Sequence, residues 1–135
     1  MKNINNDKKE NTLKENKVAL SFRENENKKV LFRLFNTKRE KSVSFNIYEN
    51  AKFSTTIKEA FNSNYRKVDI EYDTTKNNRF KKVNLLIDLN SYLDKSKINL
   101  YKDLINSNKE FIKNNKVSNE ILENIKYFED KIKSL

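Results

Sequence analysis

The sequence predicts an α+β domain, an antiparallel sheet of about five strands in the order βββαββ followed by two C-terminal helices. Three observations lead there. Residues 18–48 hold three runs in which apolar residues recur at every second position, residues 68–89 hold two more, and from residue 96 the spacing lengthens to that of amphipathic helices. At 135 residues the chain has the size of one domain, divided as a polar arm over 1–17 and a folded unit over 18–135.

The arm MKNINNDKKENTLKENK has only Met1, Ile4 and Leu13 as sizeable apolar groups, too few to offset the entropy of ordering it, and is expected to be disordered. From Val18, one strand face carries Val18, Leu20 and Phe22, then Val30, Phe32 and Leu34, then Val43, Phe45 and Ile47. The opposite face carries Ala19, Ser21 and Arg23, then Leu31, Arg33 and Phe35, then Ser44, Asn46 and Tyr48. The linkers ENENKK and NTKREKS suit antiparallel hairpins, with Asn taking the left-handed turn geometry in place of the absent glycine.

Phe53, Ile57, Ala60 and Phe61 then mark a helix, started by Asn50 or by a Thr56…Glu59 capping box. RKVDIEYD and RFKKVNLLIDLN, joined by TTKNN, complete the sheet. A wide stripe of Ile98, Leu100, Tyr101, Leu104, Ile105, Phe111 and Ile112 predicts a helix over about Ser96 to Asn114. Ser118 caps the last helix, with Val117 and Leu122 as a hydrophobic staple. Its seam of Ile121, Ile125, Phe128, Ile132 and Leu135 either packs on the sheet or pairs with a second copy of the chain as a homodimer.

Lys and Arg number 29 against 19 Asp and Glu, a formal charge of +10, which favours polyanionic partners. A compositional bias that raises Lys and Asn throughout is the competing explanation. The chain has no His, Cys, Gly, Pro or Trp. Disulfides, thiolate chemistry, common nucleophile–base pairs and glycine-rich phosphate loops are thereby excluded, and no cofactor is expected. An uninterrupted apolar run of about 18 residues is lacking, as is a signal-peptide core, so a cytoplasmic protein without membrane contact is the default.

The remaining catalytic option is carboxylate chemistry. On a strand, Asp69, Glu71 and Asp73 would share one face and, with Asp88, approach a divalent ion. The Glu-x-Lys element of a metal-dependent nuclease occurs only at Glu15–Lys17, within the arm. An exposed edge pairing with Arg79, Lys81 and Lys82 is the simpler reading, so no enzyme and no metal are expected.

The outer face of the first three strands is basic, aromatic and amide-bearing at once. Arg23, Arg33, Phe35, Asn46 and Tyr48, with Lys28 and Lys29 in the first turn and Lys38, Arg39 and Lys41 in the second, form a candidate platform for single-stranded nucleic acid. Aromatic rings stack unpaired bases while guanidinium groups pair with phosphate. The alternative is that Leu31 and Phe35 join a second core layer beneath the C-terminal helices. A second function class, a protein that docks on a protein partner through a basic face or its last helix, suits the same composition.

VALSFRENENKKVLFRLFN, SVSFNIYE and the FSTTIKEAF helix, within residues 18–64, resemble the strand-rich half and closing helix of a PUR repeat. That family binds single-stranded DNA or RNA and is related in architecture to the Whirly proteins. The resemblance implies pairing of repeats, within a chain or as a homodimer. It also implies nucleic-acid contacts in the first hairpin, where Phe22, Arg23, Lys28, Lys29, Phe32 and Arg33 fall.

Overall fold

The computed structural model describes residues 24–76, 82–89 and 93–135. Its described residues hold a two-stranded antiparallel ribbon, β1 (Val30–Phe32) and β2 (Leu85–Ile87), and five α-helices. These are α1 (Val43–Ala51), α2 (Ile57–Asn62), α3 (Lys67–Glu71), α4 (Ile98–Asn114) and α5 (Asn119–Lys133). A π-helical turn, Tyr72–Lys76, extends α3, and a 3₁₀ turn, Lys95–Lys97, leads into α4.

The ribbon pairs Val30 with Ile87, Leu31 with Leu86 and Phe32 with Leu85. Both of its faces are buried. Because side chains alternate across a strand, Leu31 and Leu86 point to one core with Tyr101, Leu104, Ile121, Ile125 and Phe128 of α4 and α5. Val30, Phe32, Leu85 and Ile87 point to a second core with Tyr48, Ala51, Ile57, Ala60, Tyr65 and Ile70 of α1 to α3 and the turn between α2 and α3. The architecture is therefore three layers, helices on each side of a narrow ribbon.

Among the described residues no third strand pairs with the outer edge of β1; there the Val30 N–H donates to the Thr55 carbonyl (3.0 Å), and two asparagines meet the rest of the edge. Asn108 of α4 accepts from the Leu34 N–H (2.8 Å) and donates to the Phe32 carbonyl (2.9 Å). Asn124 of α5 donates to the carbonyls of Val30 (3.0 Å) and Thr55 (2.9 Å). Both side chains sit in the core-facing stripes of their helices, where an unpaired amide would be costly, and here each replaces the hydrogen bonds that a third strand would make.

The five-strand sheet is thus corrected to a two-strand ribbon. SVSFNIYE, expected as a strand and assigned as one by the resemblance to a PUR repeat, is helix α1. Lys41 takes a left-handed φ of 65°, and Ser42 then caps the helix by accepting from the Phe45 N–H at 3.0 Å. The alternation of Val43, Phe45 and Ile47 misled, because Val43 is 73% exposed while Tyr48 and Ala51, one turn apart, carry the burial. RKVDIEYD is also helical. Asp69 accepts from the Arg66 N–H (3.0 Å) and grips its guanidinium through both oxygens (2.8 and 3.0 Å), starting α3. Of its alternating apolar residues, Ile70 is buried, but Val68 and Tyr72 face outward.

Three elements form near their expected places. Thr56 caps α2 by accepting from the Glu59 N–H (3.2 Å), and Ser118 caps α5 by accepting from the Ile121 N–H (3.3 Å). Helix α4 ends at Asn114. The seam of α5 packs within the chain, with Ile121, Ile125, Phe128 and Ile132 buried, so the last helix does not offer that seam to a second copy. The arm and the first expected strand, residues 18–23, lie outside the described residues.

Candidate nucleic-acid interface

The expected outer sheet face does not form, because the ribbon is covered on both sides. Arg33 is 3% exposed. Its guanidinium donates to Asn84 Oδ1 (3.2 Å), the Val83 carbonyl (3.0 Å) and Asp103 (2.8 Å), tying β1 to the segment before β2 and to α4. Tyr48 is buried too, its hydroxyl donating to the Arg33 carbonyl (2.5 Å) with the Asn84 carbonyl at 3.1 Å. Burial, with the nearby Asp73 charge, pushes the Tyr48 phenol well above its ordinary range, so it remains neutral. Arg33 thus supports the fold rather than facing a ligand, and Tyr48 does the same while bordering the cleft described below.

The other expected site residues are dispersed. Lys28 is exposed in the turn before β1, and Lys29 lies with its ammonium 4.6 Å from the ring centroid of Tyr127 on α5. Asn46 is exposed on α1. Phe35 is 48% exposed and meets Phe111 edge-on at 5.1 Å. Phe53 joins this cluster at 6.3 Å from Phe111, and the Lys52 ammonium lies 5.2 Å from Phe53 and 5.4 Å from Phe111. Arg23 is outside the described residues.

Lys38, Arg39 and one edge of Tyr48 do come together. They line a cleft of about 760 Å³ between the Thr37–Ser44 segment, Tyr65, the α3 turn and Lys82. Tyr72, 46% exposed, supplies its aromatic wall, and Ser42, Ser44, Ile47, Val68, Asp69 and Asp73 also line it. The Lys38 ammonium lies 4.7 Å from the Tyr72 ring centroid and 5.8 Å from that of Tyr48, within cation–π range of both. Volumes of a few hundred to about 1,000 Å³ suit ligands of nucleotide size.

Beneath the cleft lies a buried polar network. Asp73, 1% exposed, accepts hydrogen bonds from Lys38, from the Tyr65 hydroxyl and from Asn84 Nδ2 (3.4 Å). Burial raises the Asp73 carboxyl above its ordinary value, and the Lys38 charge and the Lys38 and Asn84 hydrogen bonds counter part of that rise. Asn84 is itself held by Arg33 and by Thr37 Oγ1 (3.3 Å).

The carboxylates considered for a metal separate for a simple reason. On a helix they fan out around the axis instead of sharing a strand face. Asp69 pairs with Arg66, Asp73 with Lys38 and Asp88 with Lys131. Among the described residues no group of three or more acidic side chains is placed to hold a metal ion. The same residues contain no helix long and apolar enough to cross a membrane.

Sequence reasoning missed Tyr65, Tyr72, Asp73 and Lys82 as cleft residues. One signal was available: Asp69 and Asp73 stand four apart, as do Val68 and Tyr72, which places each pair on one side of a helix. Asn108 and Asn124, amides set within apolar helical stripes, were a second unread signal.

No family model matches the chain, and no curated protein or solved structure matches it.

Proposed function

We propose that the protein binds single-stranded nucleic acid without catalysis, seating a base in the Tyr72 cleft and its phosphates on the rim. The observation that carries this reading is the half-exposed Tyr72 ring in a concave cleft whose lining includes Lys38, Arg39 and Lys82. A stacking ring beside cations matches the chemistry of an unpaired nucleotide. The concavity favours single strands, since a base must leave its stack to enter, and the charge of +10 draws polyanions from a distance. The function expected from the sequence is kept, but its seat moves from a sheet face to this cleft.

The test is fluorescence anisotropy with an oligothymidylate. Tyr72→Ala removes a stacking contact of about 1–3 kcal/mol, so affinity drops about 5- to 150-fold. Arg39→Ala weakens binding and flattens its dependence on salt by about one counterion. Both side chains are exposed at the surface, so the fold survives their loss. Unchanged affinity in both variants would remove the cleft as the binding site.

A second reading, docking of a protein partner, is supported by the Phe35–Phe53–Phe111 cluster, two of whose rings are half-exposed. Elution from heparin and the 260/280 nm absorbance ratio of crude preparations separate the two. Nucleic acid co-purifies under the first reading, and a protein band lost in Phe53→Ala under the second.

A further inference from the structure

Lys38 serves two masters in this geometry. Among the described residues its ammonium is the cation bonded to the buried Asp73, yet it also lines the cleft between the rings of Tyr48 and Tyr72. A strand phosphate that engages Lys38 competes with Asp73 for its ammonium, and drawing that ammonium away would leave a carboxylate charge without a cation in a site that is 1% exposed. Taking up a proton removes that charge.

Resting on the cleft reading above, we propose that a phosphodiester enters the Lys38 position together with one proton, which is taken up by Asp73. The cleft then binds single strands more tightly in acid than in base.

The surrounding groups fit both protonation states. With Asp73 ionised, the Tyr65 hydroxyl donates to it. With Asp73 protonated on the oxygen facing Tyr65, the carboxyl donates to Tyr65, whose own hydrogen can turn to the Asp69 carbonyl at 3.4 Å. Asn84 Nδ2 continues to donate to the other oxygen, while Asn84 Oδ1 accepts from Arg33 and Thr37. No donor or acceptor is stranded in either state, as a buried network that changes protonation requires.

The other charged or titratable groups around the network keep partners of their own or stand at the cleft surface. From the loop before α1 come the basic side chains of Lys38 and Arg39, and from the segment before β2 that of Lys82. Tyr48 on α1 is held neutral by burial, and Tyr65 and Tyr72 present phenol hydroxyls. Asp69 on α3 is gripped by Arg66, Glu49 on α1 by Lys52, and Arg33 on β1's far end by Val83 and Asp103. The chain has no histidine. The raised position of the Asp73 carboxyl in the free protein agrees with this assignment, since it starts closer to neutrality than an ordinary carboxylate.

The direction follows by linkage. The complex carries one more proton than its separated components, so affinity falls as pH rises above the titration of Asp73 in the free protein. The limit is about tenfold per pH unit, and the fall levels off above the titration in the complex. An oligothymidylate lacking terminal phosphates is the suitable probe, because neither its diesters nor thymine titrate in that range.

The experiment is isothermal calorimetry of the full chain with that oligonucleotide, in buffers of different ionisation enthalpy and at several pH values. Expected is net proton uptake that approaches one, with affinity declining toward alkaline pH. Asp73→Asn, which frees Lys38 without a charge to protect, is expected to bind at every pH about as tightly as the wild type does in acid. Should that variant not fold, the proton count on the wild-type protein still decides. Binding that depends on Tyr72 but shows neither proton uptake nor pH dependence overturns the coupling alone. Absence of binding overturns the cleft reading and this inference with it.

Discussion

The two sides of the ribbon hold comparable cores but are built from unlike pieces. On one side, α4 and α5 are 17 and 15 residues long and bury continuous stripes, Tyr101–Leu104–Ile105–Asn108 and Ile121–Asn124–Ile125–Phe128–Ile132. On the other, α1, α2 and α3 have nine, six and five residues, and their buried residues are Tyr48 and Ala51, Ile57 and Ala60, and Ile70 alone. A long helix repeats its period several times, whereas a helix of one or two turns samples it once and depends on its cap and its neighbours. The longer side is the scaffold. The shorter side carries the cleft, on segments held by few apolar contacts but many specific hydrogen bonds.

That contrast can be broken first at its strongest point. Phe128, fully buried beneath the ribbon, is expected to cost about 3–5 kcal/mol as Phe128→Ala in urea unfolding, because no neighbour can fill the space of a ring. A loss below about 1 kcal/mol would show that the long helices are not the scaffold.

The edge of the ribbon comes next. Asn124→Ala removes the donor shared by the Val30 and Thr55 carbonyls and is expected to cost about 2–3 kcal/mol, while oligonucleotide affinity measured on the folded fraction stays unchanged. An unfolding midpoint equal to the wild type's would mean that the edge is satisfied in another way.

The caps sharpen the comparison directly. Ser118→Ala on α5 and Thr56→Ala on α2 each delete one cap bond, worth about 1 kcal/mol. Hydrogen exchange should separate them. The α5 variant frays only its first turn, since the rest of the helix is anchored, whereas the α2 variant raises exchange across the whole of Ile57–Asn62. Equal, local fraying in both would erase the distinction drawn between long and short helices.

The smallest expected effect is electrostatic. Partial burial raises the Asp88 carboxyl, but hydrogen bonds from Lys131 and Tyr127 and the Lys131 charge outweigh it, so the net direction is below the ordinary value. A carboxyl lowered by folding stabilises the protein above its unfolded-state titration, and that contribution is lost as pH falls through the folded-state value. Lys131→Met should therefore reduce stability near neutrality and shallow the acid-side decline. An unaltered acid limb in the variant would remove Asp88 from that role.

Legibility in the sequence followed element length. The centre of the α4 stripe, Tyr101, Leu104 and Ile105, and the α5 seam from Ile121 to Ile132 could be read, Asn108 and Asn124 excepted, and so could the Thr56 and Ser118 caps, whose signals are local. SVSFNIYE and RKVDIEYD could not, because over seven or eight residues an alternating pattern and a single helical turn place apolar groups at overlapping positions. The same ambiguity decided the fate of the expected site. Alternation assigned Arg33 and Tyr48 to an open face, but a ribbon covered on both sides has no open face, and both became part of its support. Arg39 stayed exposed in its polar segment, whereas Lys38 was drawn to Asp73 by contacts that only the fold provides.

What the sequence determined alone was therefore local or cumulative: a basic chain without histidine, cysteine or glycine chemistry, two long amphipathic helices, and the capped start of a short one. Tertiary structure decided which strands pair, since β1 and β2 are joined across more than fifty intervening residues and only the two cores select that register. It likewise decided that Tyr72, Asp73 and Lys38 meet at one cleft. The physical reason is that a short segment gains little free energy from its own backbone. It adopts whichever conformation lets Ile70, Tyr48 or Phe32 bury against the rest, and no pattern within the segment records where that surface lies.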